Sequence, residues 1–252
     1  MVQSLSYYVH GSGPGIVLVP GIGTTGADAW GAVPRDLADS HTVVVPNLPG
    51  SGESPLPDGP LDLDTVADQV VATAQDAGLE RFTLAAVLLG SGIALRVTTR
   101  HPARVSRLAL LAGFARPRPS LRLWFEIWAA LSGDDEAVSK LMVLLSLSDG
   151  SLAASSDEQI DLLVEQITRG RQPGAAAQLD LATRLDVRAD LAKIGVPTLV
   201  MTGTGDGFVA PAHSHEIADG VPGARLVEIA GGHGFWMENP DTVAVLREFL
   251  GD

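Results

Sequence analysis

Ala86-Val87-Leu88-Leu89-Gly90-Ser91-Gly92-Ile93-Ala94-Leu95 joins an apolar run, Phe82 to Val87, to a helical pattern that closes at His101-Pro102. A short run of aliphatic and β-branched residues, then two glycines, then helical spacing reads as strand, tight turn and helix. Outward from this stretch the alternation repeats. Ile16 to Val19, Thr42 to Val45, Val105 to Leu111, Pro197 to Thr202 and Arg225 to Ile229 are short runs separated by longer helical patterns. The runs are apolar on both faces, as strands of a parallel sheet are when helices cover both its sides. SYYVH (residues 6–10), followed by Gly11, Gly13, Pro14 and Gly15, reads as an edge strand turning into the next. The expected fold class is α/β, with a mostly parallel, doubly wound sheet. From Gly113 to Gly195 strand signals stop, and helical stretches follow around Leu121 to Leu131, Asp134 to Leu147, Asp157 to Arg169 and Gly174 to Leu185. The expected organisation is a core of residues 1–112 and 196–252 with a helical insertion, 113–195.

The chain has 252 residues, 46% hydrophobic and 19% charged, the composition of one compact enzyme-sized unit. A chain of this length buries roughly three quarters of its unfolded surface. Lys and Arg number 17 against 30 Asp and Glu, a net charge of −13. Phosphate backbones and anionic membrane surfaces repel such a protein, so neither nucleic acid nor a membrane is an expected partner. The absence of cysteine excludes disulfides, thiolate catalysis and cysteine-based metal sites. The start, MVQSLSYYVHGSG, has neither a basic nor an apolar targeting region, and no later apolar run approaches the ~20 residues of a membrane span. A cytoplasmic protein is expected. His10, His41, His213 and His215 lie at turns or on a polar helix start without matching carboxylates, so neither a metal site nor a cofactor is expected. The expected partner is a small-molecule substrate, with a homodimer left open.

Asn47-Leu48-Pro49-Gly50-Ser51-Gly52-Glu53-Ser54, after a strand, resembles the "PDxPGxGxS" loop of the α/β-hydrolase superfamily, with Asn47 where Asp is usual. Leu18-Val19-Pro20-Gly21 resembles that family's "HG" oxyanion segment. Val196 to Val200, continuing through Gly203, Asp206 and Pro211, resembles its acid-bearing strand and loop. Gly231-Gly232-His233-Gly234, followed by Glu238-Asn239-Pro240, resembles its histidine loop and last helix. Four motifs in order span nearly the whole chain, and the resemblance implies that the insertion is a cap over the active site.

In that family the strand-to-helix elbow reads G-x-S-x-G and lifts a nucleophilic serine into the pocket. Leu88 takes the serine's place here: it precedes His101 by thirteen positions, the family's usual interval of about thirteen, whereas Ser91 precedes it by ten. Ser91 reads as a small residue where the helix packs closely on the sheet. The segment departs from the family pattern also at Ala86, Ser91, Asn47 and Pro20. An alkyl side chain has no nucleophilic atom, so covalent ester hydrolysis through position 88 is excluded.

Asp206 and His233, 27 positions apart, each sit in a glycine-flanked loop after a strand. Taken singly, each reads as an ordinary turn residue. The resemblance implies that the two meet beside the elbow, with Asp206 fixing the imidazole tautomer and the distal nitrogen serving as a general base. It also implies an oxyanion hole at the backbone N–H groups of Ile22 and Leu89. Trp124, Phe125 and Trp128 recur at helical spacing and read first as core; Trp124 and Trp128 are also candidates to line the pocket with Phe208 and Trp236. Three readings follow. The leading one is a cofactor-independent enzyme whose His233 removes a substrate proton in an elimination, isomerisation, cyclisation or lyase step, or in oxygenation, on an apolar oxygenated molecule, with natural-product biosynthesis as the setting. The second is hydrolysis of an ester, lactone or epoxide by water that the same dyad activates. The third is a ligand-binding protein without turnover.

Overall fold

In the computed structural model, which describes residues 2–251, seven strands form one sheet in the order β1-β3-β2-β4-β5-β6-β7. Along the chain come β1 (Tyr7–His10), β2 (Gly15–Val19), α1 (Gly26–Trp30), α2 (Val33–Leu37), β3 (Thr42–Pro46), α3 (Leu63–Asp76), β4 (Phe82–Val87), α4 (Leu89–Arg100) and β5 (Val105–Leu111). Six helices follow without a strand: α5 (Pro119–Ala130), α6 (Asp135–Ser146), α7 (Asp149–Ala154), α8 (Asp157–Gly170), α9 (Ala175–Arg184) and α10 (Arg188–Leu191). β6 (Thr198–Gly203), α11 (Ala212–Gly220), β7 (Arg225–Ile229), α12 (Phe235–Glu238) and α13 (Asp241–Leu250) complete the fold. Met1 and Asp252, the ends of the expected core segments, lie outside the described residues.

Only β1 runs antiparallel, against β3; every other pairing is parallel. Alternate residues of the inner strands enter two separate cores. Val17, Val19, Leu84 and Ala86 pack on one face of the sheet with α3 and α4, while Ile16, Leu18, Ala85 and Val87 pack on the other with α1, α2 and α13. That two-sided burial is why the strand runs lack a polar face. Chain order reverses between β2 and β4, so the loops leaving their carboxyl ends diverge and open a crevice there.

The helices between β5 and β6 are fastened to this end of the sheet by backbone contacts. Gly174 N–H donates to Gly50 O at 2.8 Å, and Gly234 N–H donates to Ser146 O at 2.9 Å. A β-carbon at Gly174 would stand 2.4 Å from Pro49 O and 2.7 Å from Gly50 Cα. At the start of α5, the Arg118 N–H donates to His213 Nε2 at 3.1 Å. Nδ1 therefore carries the ring proton and donates to Ala210 O at 3.0 Å. Burial holds the His213 pKa below its ordinary value of 6.5. No helix among the described residues is long and apolar enough to cross a membrane.

Two outcomes follow. Gly174→Ala should lower the unfolding free energy by about 1–3 kcal/mol in urea titrations, the usual effect of overpacking. As pH falls below about 6.5, the unfolded chain takes up a proton at residue 213 that the folded chain resists, so stability declines. Urea titrations between about pH 7.5 and 5 should show a shallower decline for His213→Asn than for the wild type.

Candidate active site

β4 ends at Val87 and α4 begins at Leu89; Leu88 between them has φ 50° and ψ −120°. A non-glycine residue held there stores ~1–3 kcal/mol of strain, and Leu, unbranched at Cβ, tolerates it better than Val or Ile. The glycines after it have separate reasons. A β-carbon at Gly90 would lie 2.5 Å from Pro20 O and one at Gly92 would lie 2.3 Å from Leu185 Cδ2. Ser91 lies inside α4, fully buried, and its hydroxyl donates to Ala86 O at 3.3 Å. The Leu88 side chain is almost wholly buried and lies over Gly21, where an added β-carbon would meet Leu88 Cβ and Cδ2 at 3.3 Å.

Asp206 follows β6, and His233 follows β7. The His233 Nδ1 is 2.8 Å from Asp206 Oδ2, with the two side chains 7% and 0% exposed. The other carboxylate oxygen accepts the Phe208 N–H at 2.9 Å and the Val209 N–H at 2.8 Å, so the carboxylate cannot turn away. An ionised carboxylate at Nδ1 makes that nitrogen the protonated one, leaving Nε2 with a lone pair. Phe208 and Trp236 stand edge-on to the imidazole, at 5.0 and 5.5 Å between ring centroids. Trp236 is fixed in turn, since its indole N–H donates to Ala29 O at 2.9 Å.

A cavity of about 810 Å³ opens over His233 and Leu88. The core contributes Ile22, Phe208 and Trp236 to its walls, and the insertion contributes Trp128, Met142 and Ile167. Its outer end reaches Tyr8, whose hydroxyl pKa is pushed up to about 12 by burial and then by Asp28. Trp124 is a correction to the sequence reading: it is outside the cavity wall and packs half-buried against the core. It sits one helical turn, about 5.4 Å, before Trp128, and the cavity ends short of it. Leu89 has its side chain in the core. Among the described residues, the backbone N–H groups of Ile22 and Leu89 have no protein acceptor.

Two residues carry roles that the sequence reading did not give them. Asn47 uses both ends of its amide: Oδ1 accepts the Gly26 N–H at 2.8 Å, and Nδ2 donates to Ser6 Oγ at 3.0 Å. Gln178, fully buried in α9, bonds to the loops after β2 and β3. The only sequence signal for Gln178 is a glutamine at the buried register of a helix whose other inward residues are Ala and Leu. No group of three or more His, Cys, Asp or Glu among the described residues is arranged to hold a metal ion.

The family model described as the alpha/beta hydrolase fold matches residues 14–240, and the chain belongs to that family. Over 250 residues it is 30% identical to a pyrrolizixenacetamide deacetylase from Xenorhabdus hominickii, covering 98% of this chain and 94% of the relative. The crystal structure of a hydrolase from Pseudomonas aeruginosa PA01 matches with a TM-score of 0.86 at 26% identity, covering 98% of this chain and 94% of that one. The enol-lactonase from Burkholderia xenovorans LB400 matches with a TM-score of 0.87 at 23% identity, over 98% and 96% of the two chains, which is a likeness of fold.

A fluorophosphonate probe, which needs an activated hydroxyl, should leave the native protein unlabelled by intact mass. Leu88→Ser places a hydroxyl at the elbow beside His233, and that variant should gain one adduct at residue 88.

Proposed function

We propose that this chain is a cofactor-independent enzyme in which His233, held by Asp206, acts as general base on a mostly apolar, oxygenated small molecule. The observation that carries the reading is the buried 2.8 Å contact between His233 Nδ1 and Asp206 in a cavity where the nucleophile's position holds Leu88. His233 Nε2 takes a proton from a carbon next to an oxygen-bearing group, and Asp206 stabilises the imidazolium that results. Where that group is a carbonyl, the electron pair left behind moves onto its oxygen as an enolate, within reach of the N–H groups of Ile22 and Leu89. As the carbonyl re-forms, the anion expels a leaving group from the β-carbon in an elimination, is protonated at another carbon in an isomerisation, or bonds to an electrophilic carbon of the same molecule in a cyclisation. The imidazolium gives its proton to the departing group, to that carbon, or to the anion made by ring closure. Leu88 shapes and dries the site, and the helices over it act as a cap that keeps water from the reactive anion.

Hydrolysis by activated water is the second reading, and the deacetylase and hydrolase names of the relatives favour it. In it, His233 Nε2 takes a proton from water as the water oxygen attacks a carbonyl carbon, the same two N–H groups receive the oxyanion, and its collapse breaks the bond to the leaving alcohol or amine, which takes the proton from the imidazolium. No covalent enzyme intermediate forms in either reading.

Removing a positioned general base costs about 10²–10⁴ in rate, so His233→Ala should nearly abolish turnover of the substrate. Asp206→Asn should weaken it by misplacing the ring, and Leu88→Ala should do less. Proton abstraction from carbon predicts deuterium from D₂O in recovered substrate or a primary isotope effect at that carbon. Water activation predicts solvent ¹⁸O in the product without that exchange, and saturable binding with no product would leave a binding protein. Full activity in His233→Ala would falsify both catalytic readings.

A further inference from the structure

Gln178 belongs to the insertion, yet its amide bonds only to the core. Oε1 accepts the Gly23 N–H at 2.7 Å, while Nε2 donates to Pro49 O at 2.9 Å and to Ser51 Oγ at 3.0 Å. These bonds cross 155, 129 and 127 residues of sequence, and the side chain making them has no exposed surface. Both amide hydrogens are used, and neither has a solvent substitute at such a site. Gly23 is held from the same stretch of the insertion on its other side, since its carbonyl accepts the Gln172 N–H at 3.3 Å. Gly23 also stands at φ +74°, a conformation that needs external support to persist as a single state.

The residue before Gly23 is Ile22, whose N–H has no acceptor among the described residues and which lines the cavity. Holding the peptide between Ile22 and Gly23 anchors one side of the Ile22 Cα, and the planar peptide that carries the Ile22 N–H can then turn against it only through the φ and ψ of that one residue. We propose that Gln178 is a positioning residue that aims the Ile22 N–H into the cavity, so that docking of the insertion and assembly of the anion-binding pair are one event. The importance of that pair rests on the general-base reading above; the link from Gln178 to the loop does not. Simple filling of space gives a different expectation, because any side chain of the same volume would then serve.

Glutamate and methionine separate the two accounts. Methionine keeps the volume and loses all three bonds. Glutamate keeps the acceptor for Gly23. Ionised, it sets a second acceptor against Pro49 O; protonated, it regains one donor. Amide hydrogen exchange by NMR on the full chain reads the loop directly. In Gln178→Met, the Gly23 amide should exchange about tenfold faster, the upper end of what one lost hydrogen bond allows, and the Ile22 amide, which burial alone protects, should exchange faster with it, with α13 unchanged. Gln178→Glu at about pH 5 should return both amides towards wild-type protection. Unchanged exchange at Ile22 and Gly23 in Gln178→Met overturns the proposal. So does a Gln178→Glu protein as disturbed at acid pH as the methionine variant, and this second arm decides alone if the methionine variant does not fold. The anion-binding reading has its own readout: 4-nitrophenol, titrated by its absorbance, should ionise at lower pH when bound to wild type than when bound to Gln178→Met. If the amides follow Gln178 and the bound phenol does not, the link to the loop stands and the anion-binding reading fails.

Discussion

Gly90 has room for nothing larger than hydrogen, because the carbonyls of Val19 and Pro20 fill the space where a β-carbon would go. The first turn of α4 is thereby pressed onto the carboxyl end of β2, and the chain leaving β4 has a single residue in which to reverse. Leu88 adopts its left-handed conformation for that reason. The same closeness brings Gly21 under the Leu88 side chain. Two further loops reach the spot from β6 and β7, where Gly203 lies against the carbonyls of Gly231 and Gly232. The site is thus a meeting of four strand ends, each positioned by backbone approach before any side chain contributes.

The insertion is joined to these loops by a different kind of contact. Gly174 against Gly50, Ser146 O on Gly234 and the amide of Gln178 are polar, directional bonds, set beside an apolar contact in which Phe125 and Trp128 meet Phe208. Each has a modest net value, because folding exchanges it for bonds to water, but breaking one while it remains buried is costly. Such a seam favours one docked arrangement over near alternatives. Within the insertion, α6 and α8 pack chiefly on each other, and Val164 is the only buried residue of α8. α5 and α9 instead send Leu121, Phe125, Trp128, Leu179 and Leu181 into the core on that face of the sheet, so apolar burial holds the insertion together with its polar edges.

Much of this was legible in the chain itself. Strands buried on both faces announce themselves as unbroken apolar runs, so the sheet could be read from β2, β4, β5 and β6. Leu88 could be placed at the turn by counting back from His101, with the interval taken from the family that the motifs resemble. Asp206 and His233 were readable as a pair because the loops that carry them resemble, in order and spacing, the family's acid and histidine loops. Trp124 was not readable in the same way: helical periodicity gives the direction of a side chain and says nothing of where a cavity stops. Gln178 was hidden for a related reason. A buried glutamine is explained only by its partners, and Gly23, Pro49 and Ser51 are more than a hundred residues away. The short α7 and α10 also escaped, since single turns carry too few residues for a period to show.

The left-handed turn at residue 88 is imposed from outside, by carbonyls of β2 and the glycine that follows, and it would persist under many side chains. In a serine enzyme the strain has an evident use, as it raises a nucleophile. Here the same posture raises an isobutyl group. The turn therefore behaves as a socket: the fold supplies a fixed mounting point in the cavity wall, and whichever side chain is fitted there decides whether the imidazole beside it has a protein atom to serve or only a guest's. A change of reaction class then needs no redesign of the frame, because the frame already bears the strain for any occupant.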